Sequence, residues 1–427
     1  MPFVVPNQGN GKEVGENEVR SLFSLSAHYH LPRFEQEDCL TLKMRGIALP
    51  VAVLATLWAS VAQSTSLAHF ALQKVLDDAS PIFGSYSKQT NSKSTWMKGY
   101  SDDTLLVHMN IPGTHDSATW NYTQATQDAN RGITDLNQVT PPVPEALRCQ
   151  ELPLIDMLNL GIRAFDLRYA LDATNSTLIF YHSQGLLSET ATLNDVLFGF
   201  YRWLDDHPSE TLFLSMQYEG STAKHASNNA ALQLKLHDAL TSPAAREYFV
   251  QTKDQLGTLG QARGRINLLR RFDLDQLPSS YTNSLPGLHF SPSLWTDNRP
   301  DIALTYNPKQ NLTAYIEDYY EPLTPTGSNA TENIQWKYNA TTTNIIKATT
   351  EYPDSLFWTW ASSTNLDNVP PEWPRIMALG NGTLTPAGGV NQLLVPFLNQ
   401  QKGKRVGIVM FDFFDQPSKL IDTFLSL

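Results

Sequence analysis

From about residue 102 onward, short apolar runs alternate with amphipathic stretches, the pattern of successive strand–helix units that build a parallel sheet. Residues 105–111, 162–169, 178–181, 211–217, 265–271, 314–318, 356–360 and 406–413 are the predicted strands. Several are almost continuously apolar, as strands covered on both faces are. Between the third and fourth runs, Leu193, Val196, Leu197, Phe200 and Leu204 form one helical stripe behind Thr192, with Asp195 spaced for a cap. A shorter helix of the same kind is expected over 152–160. Strands and helices in this alternation predict an α/β chain folded as an irregular (β/α)8 TIM-type barrel, a single domain over 102–427. The irregularity is expected in 274–314, which is rich in Pro, Ser and Asn and lacks helical periodicity.

Upstream the pattern changes. Residues 67–76 have helical spacing within a polar lead-in over 63–101. Residues 44–62, MRGIALPVAVLATLWASVA, carry one arginine, a long apolar run and small residues at Ser60 and Ala62, the features of a secretory signal peptide with its cleavage site. Translation from Met44, or an extension over 1–43 that the mature protein lacks, accounts for its internal position. The competing reading is a membrane anchor, for which the run is marginal in length. Cleavage would remove Cys39 and leave Cys149 alone, so no disulfide within the chain is expected. The expected product is secreted and monomeric. Sequons at Asn121, Asn175, Asn311, Asn329, Asn339 and Asn381 all lie downstream, compatible with a glycoprotein but no more frequent than chance in so Asn- and Thr-rich a chain.

Charge narrows the partners. The formal net charge is −11 with a pI near 5.4, and the acidity stays with the part after residue 62. Nucleic acid, which would call for a basic stripe, is excluded as a partner, and so is electrostatic attachment to anionic lipid. Any membrane contact must be apolar or aromatic and transient. Trp295, Trp336, Trp358, Trp360 and Trp373 are core residues by default, with one or two expected on rim loops.

The candidate chemistry gathers where predicted strands end. IPGTHDSATW, 111–120, reads as a strand closing in a Gly-bearing turn that presents His115 and Asp116. A single histidine in such a place is more often structural. The second strand ends AFDLRY, so Asp166 and Arg168, two apart, project to the same side. The third ends FYHSQG and brings His182 to the same rim. Two imidazoles, a guanidinium and a carboxylate at one barrel mouth suit phosphodiester cleavage: one imidazole takes a proton from the nucleophile, the other protonates the leaving oxygen, and the guanidinium steadies the phosphorane charge.

IPGTHDS, GIRAFDLRY and FYHSQGL, in that order, resemble the catalytic X-type barrel of the secreted bacterial and fungal phosphatidylinositol-specific phospholipases C. HPSETLFLSMQYE, GRINLLRRF, YIEDYY and RVGIVMFDFF extend the resemblance to the C-terminus. It implies cleavage of phosphatidylinositol or a glycosylated form of it, a phospholipid substrate taken at a membrane surface. By the same resemblance His115 is the general base toward the inositol 2-hydroxyl and Asp412 sets its tautomer. His182 is the general acid, Asp116 supports the acid step and the arginine, and Arg168 contacts the phosphate. Asp166, Arg271, Asp318 and Tyr320 correspond to its inositol-binding group. Gln217 stands where bacterial relatives often place a lysine, a departure that bears on head-group preference.

Two other readings compete. A metal-dependent glycerophosphodiesterase or sphingomyelinase D-like barrel would need Glu-x-Asp at the end of the second strand, where this chain has Asp-x-Arg. A non-catalytic barrel binding inositol or glycans would leave both histidines and Arg168 without a task. Arg168 in place of a second carboxylate implies catalysis without a metal or other cofactor.

Overall fold

The computed structural model describes residues 51–136, 140–220, 226–383 and 385–427, with the side chains of 51–65 and 135–136 excepted. The expected extension over 1–43 and residues 44–50 of the expected signal segment lie outside the described residues. Eleven strands are described: β1 (Ile111–Thr114), β2 (Ala164–Leu171), β3 (Leu178–His182), β4 (Gly185–Leu186), β5 (Leu212–Tyr218), β6 (Ile266–Arg271), β7 (Leu288–His289), β8 (Arg299–Asn307), β9 (Leu312–Asp318), β10 (Leu356–Trp360) and β11 (Ile408–Phe411). Nine of them lie in the order β7-β6-β5-β2-β1-β11-β10-β9-β8, every neighbour parallel except β8 on β9, while β3 and β4 extend from β2 as an antiparallel arm. Around the ring the parallel strands therefore follow chain order, and β1 paired with β11 joins the two ends of the chain. No described ladder joins β7 to β8, so the barrel is open there, within the expected irregular stretch.

The expected strands need three corrections. Residues 106–108 form a 3-10 turn, and β1 begins only at Ile111. Its Gly113 lies inside the strand: a Cβ there would stand 2.8 Å from that of Ala164 and closer still to the Met410 sulfur, so only glycine lets β1 sit between β2 and β11. The turn falls at Asp116, in left-handed conformation (φ 39°). Second, residues 178–181 belong to a hairpin arm. β3 runs antiparallel to β2, because residues 172–177 are too short for a parallel crossover, and β7 supplies the eighth parallel strand. Third, 274–314 contains β7, β8 and a short helix, Ser279–Ser284.

Burial follows position. All five residues of β10 are buried, whereas β8, an outer strand, alternates exposed and buried along its second half. The helix Leu193–Asp206 begins with the expected cap: the Asp195 amide donates to Thr192 Oγ1 (3.2 Å) and the Thr192 amide to Asp195 Oδ2 (3.1 Å). Its stripe of Leu193, Val196, Leu197, Phe200 and Leu204 is buried as predicted. The expected 67–76 helix is part of a longer one, Val51–Phe83, and 152–160 contains Leu154–Asn159.

Residues 62–427 form one compact unit, and the lead-in is packed onto it. Arg163, wholly buried, holds Glu210 Oε2 (2.7 Å) and the carbonyls of Lys93 and Ser94 (3.1 and 2.9 Å), clamping that segment against the barrel floor. With the floor closed by this clamp and by packed side chains, the free polar groups are left at the other end of the strands.

Candidate active site

The predicted site residues lie at or just beyond the C-terminal ends of their strands, except Asp166 and Arg168, which lie within β2 level with Ser215 and Gln217 of β5. His115 and Asp116 follow β1, Asp166 and Arg168 lie on β2, and His182 ends β3. Gln217 lies on β5, Arg271 ends β6, Asp318 ends β9, Tyr320 is two residues further, and Asp412 follows β11. Together they surround a cavity of about 640 Å3, in which Asp116 and Asp166 stand behind the lining residues. His182 reaches the cavity from the hairpin arm instead of a barrel strand.

His115 is bracketed. Its Nδ1 lies 2.9 Å from Asp412 Oδ1, and its Nε2 lies 2.9 Å from Arg168 Nη2. A guanidinium only donates, so Nε2 accepts, and the ring proton sits on Nδ1, donated to Asp412. Burial alone would depress the His115 imidazolium, but the carboxylates of Asp116 and Asp412 outweigh it and hold the pKa well above the ordinary 6.5. Burial likewise opposes ionisation of Asp116. Arg168 and the two histidines overcome it and keep that carboxyl well below the usual range. Burial raises Asp412, against the pull of His115.

Asp116 is the hub. Its Oδ1 takes Arg168 Nε at 2.8 Å, while Oδ2 lies 3.0 Å from His115 Nε2 and 3.1 Å from His182 Nε2, aligned as a hydrogen bond with neither. His182 Nδ1 donates to the Leu147 carbonyl at 2.7 Å, so its Nε2 faces the site. The left-handed turn at Asp116 is stabilised by its own amide donating to Asp166 Oδ2 (3.3 Å).

Arg168 is held on every side: Nε to Asp166 Oδ2 at 3.1 Å and to Asp116, Nη1 to Glu219 Oε2 at 2.8 Å. Burial acts against its charge, and these carboxylates outweigh it. His115, Asp116 and Asp166 could in principle ligate a cation. A divalent ion does not fit them here, because Arg168 Nε occupies the position between the two carboxylates, and its positive charge repels the ion.

A second group lies beside the first. Arg271 Nη2 is 3.6 Å from Asp318 Oδ2, its Nη1 is 3.9 Å from Asp166 Oδ1, and its guanidinium stacks over Trp295 at 4.0 Å and Trp360 at 4.9 Å. Burial lowers its pKa against the pull of Asp318. Trp295 Nε1 donates to Asp318 Oδ2 (2.6 Å), and the Tyr320 hydroxyl donates to Asp297 (3.1 Å). Gln217 Oε1 and Arg271 Nη1 are buried without a hydrogen-bond partner among the described residues, polar atoms facing a cavity that a polyhydroxyl ring can fill. Trp295 thus turns inward under Arg271. Trp358 and Trp360 are core, Trp336 is exposed on a helix, and the rim is apolar through aliphatic side chains instead.

Sequence reasoning missed several contributors. Glu219 stands two residues beyond Gln217, and the strand period of two would have placed it on the same side. It also accepts from the Ser183 amide, tying Arg168 to the turn after His182. Gln150 fixes the backbone beneath His115 by donating to the carbonyls of His115 (2.8 Å) and Phe411 (2.9 Å), and Asp297 comes from a loop with no local signal.

Comparison with known proteins places this geometry. Residues 144–272 match the domain family described as "Phosphatidylinositol-specific phospholipase C, X domain", an interval holding Asp166, Arg168, His182, Gln217 and Arg271. The human PI-PLC X domain-containing protein 1 is 30% identical over 144 residues, 30% of this chain and 44% of that protein. The 1-phosphatidylinositol phosphodiesterase of Staphylococcus aureus (strain Newman) is 22% identical over 235 residues, 54% of this chain and 67% of that one. The matches thus span from under half to about two thirds of these relatives. Among solved structures, a phosphatidylinositol-specific phospholipase C from Staphylococcus aureus, in a mutant form, superposes with a TM-score of 0.60 at 18% identity, covering 78% of this chain and 97% of that one. The enzyme of that name from Listeria monocytogenes superposes with a TM-score of 0.53 at 22% identity, covering 78% and 97%. Residues 144–272 thus resemble the phosphatidylinositol-specific phospholipase C X domain, and the chain shares the barrel fold of the bacterial enzymes of that name.

Proposed function

We propose that this chain is a phosphodiesterase that cleaves phosphatidylinositol, or a glycosylated phosphatidylinositol, to diacylglycerol and an inositol cyclic phosphate without a metal. The observation that carries the proposal is His115 set between Asp412 and Arg168 with His182 facing it across Asp116. Arrival of the phosphate draws the Arg168 guanidinium onto two phosphate oxygens and frees the His115 Nε2 lone pair. The inositol 2-hydroxyl proton passes to Nε2 as its oxygen bonds to phosphorus. The imidazolium so formed is stabilised by Asp412. The bond from phosphorus to the glycerol oxygen breaks, and His182 Nε2 delivers a proton to that oxygen. Arg271, Asp318, Gln217 and Tyr320 take the ring hydroxyls.

The substrate is met at a bilayer. Leu294, Leu323, Leu366 and Val369 are exposed on loops that follow β7, β9 and β10, around the mouth of the cavity. An acidic chain with an apolar rim binds lipid by insertion of side chains, not by charge. Secretion after removal of residues 1–62 belongs to the same reading, and all six sequon asparagines are exposed, as glycans require.

The test is product analysis. Purified chain incubated with phosphatidylinositol vesicles in excess EDTA should release diacylglycerol and give the 31P resonance of a cyclic inositol phosphate. Absence of turnover, or turnover that appears only when calcium is added, would contradict the proposal.

A further inference from the structure

β6 carries two consecutive arginines that point to opposite faces. Arg271 lines the catalytic cavity, whereas Arg270 lines a separate cavity of about 340 Å3 on the flank, between β7 and the β8–β9 hairpin, where the barrel is open. Arg270 is only 4% exposed, yet it donates no hydrogen bond among the described residues, and its buried Nε has no partner. Its nearest carboxylate, Asp254 Oδ1, is 3.8 Å from Nη2, beyond hydrogen-bond reach. Asp273, the other acid nearby, is engaged by His289 Nε2 at 2.8 Å.

Two other guanidiniums, the buried Arg163 and the largely buried Arg168, are fully engaged, and Arg271, which also has a nitrogen without a hydrogen-bond partner, faces the catalytic cavity. Arg163 is satisfied by Glu210 and four carbonyls, and Arg168 by three carboxylates and His115. A buried charge without partners is costly, and proteins tolerate one where a ligand completes it. Burial pushes the Arg270 guanidinium down to about 10, because the charges of Asp254 and Asp273 offset the burial only in part. The same cavity is lined by Lys253 and Lys309, both exposed, and by Thr282 and Asn283. Of the acids, only Asp254 lines it.

We infer that this flank cavity, built on Arg270 with Lys253 and Lys309, is a binding site for a soluble phosphate-bearing anion. The planar donors of Arg270 face a dianion from the buried side while the lysines close over it from solvent. None of its lining residues is a large exposed apolar side chain, unlike the loops at the mouth, which favours a free phosphate or phosphate monoester over a lipid head group.

Inorganic phosphate titrated into the full chain at constant ionic strength, followed by calorimetry and melting temperature, tests this. A saturable rise in melting temperature is expected in the wild type. It should persist in Arg168→Gln, where the catalytic phosphate ligand is gone, and the affinity should fall at least tenfold in the Lys253→Glu/Lys309→Glu double variant. Arg270→Met should lose the response and melt higher than wild type in phosphate-free buffer, since the uncompensated charge is removed. If that variant does not fold, the double variant decides. A phosphate response no larger than that of chloride, or one unchanged in the double variant, overturns the site. A second arm uses phosphatidylcholine vesicles doped with phosphatidic acid. Equal partitioning of wild type and double variant is expected, and weaker partitioning of the double variant would overturn the assignment to a soluble anion.

Discussion

Replacing Asp412 by Asn isolates the electrostatic part of the acid–base device. The amide oxygen can still accept the His115 Nδ1 proton at the 2.9 Å now seen, so the tautomer and the ring position are kept while the charge is lost. Taking the carboxylate about 4 Å from the ring's positive charge and an effective dielectric of about 20, the interaction is ~4 kcal/mol. Lost in the transition state, where the imidazolium forms, this corresponds to roughly a thousandfold in rate. The pH profile separates this cause from a structural one. Burial tends to depress the His115 pKa, and the charges of Asp116 and Asp412 raise it. The wild-type acid limb of kcat/KM should therefore lie above 6.5, and in Asp412→Asn it should move to lower pH, because one of the two raising charges is gone. Burial also raises Asp412 itself, so the neutral variant should melt no lower than wild type. A variant within tenfold of wild type, with its acid limb unmoved, would refute the reasoning.

Other outcomes follow from the same geometry. Arg168→Lys should lose activity by two to three orders of magnitude, read as kcat/KM, since about 3–4 kcal/mol is typical of removing one transition-state donor and a point charge cannot span the contacts to Asp116, Asp166 and Glu219. Val369→Asp combined with Leu323→Asp should weaken binding to neutral phosphatidylcholine vesicles severalfold, measured by sedimentation, while turnover of a soluble inositol phosphodiester is unchanged. These side chains are 97% and 68% exposed and touch no catalytic group. N-terminal sequencing of secreted protein should begin near Gln63, and recovery of product starting at Met1 would sink that expectation.

How much was legible in the sequence depended on how local its cause was. Asp166 and Arg168 were placed correctly because a strand's period of two is local, and so was the Thr192 cap. The strand order was harder. LIFYH reads alike whether it pairs parallel or antiparallel, yet the six residues between β2 and β3 already exclude a parallel return. In β1, Pro112 and Gly113 signal a turn locally, but tertiary packing between β2 and β11 holds them extended. β7, at two residues, is below any periodicity. The loop that brings Trp295 and Asp297 under Arg271 and Tyr320 owes its place to long-range contacts alone.

The most direct test of two histidines with separate tasks varies the leaving group. A general acid matters when the departing oxygen is a poor leaving group, as in diacylglycerol, and little when it is a good one, whereas the base is needed for both. His115→Ala and His182→Ala should each abolish turnover of phosphatidylinositol while melting normally. With an inositol phosphodiester bearing a nitrophenolate leaving group, His182→Ala should recover to within about tenfold of wild type, and His115→Ala should remain inactive, as the loss of a general base typically costs ~10²–10⁴-fold. Equal rescue of both variants, or rescue of His115→Ala alone, would contradict the assignment of base and acid.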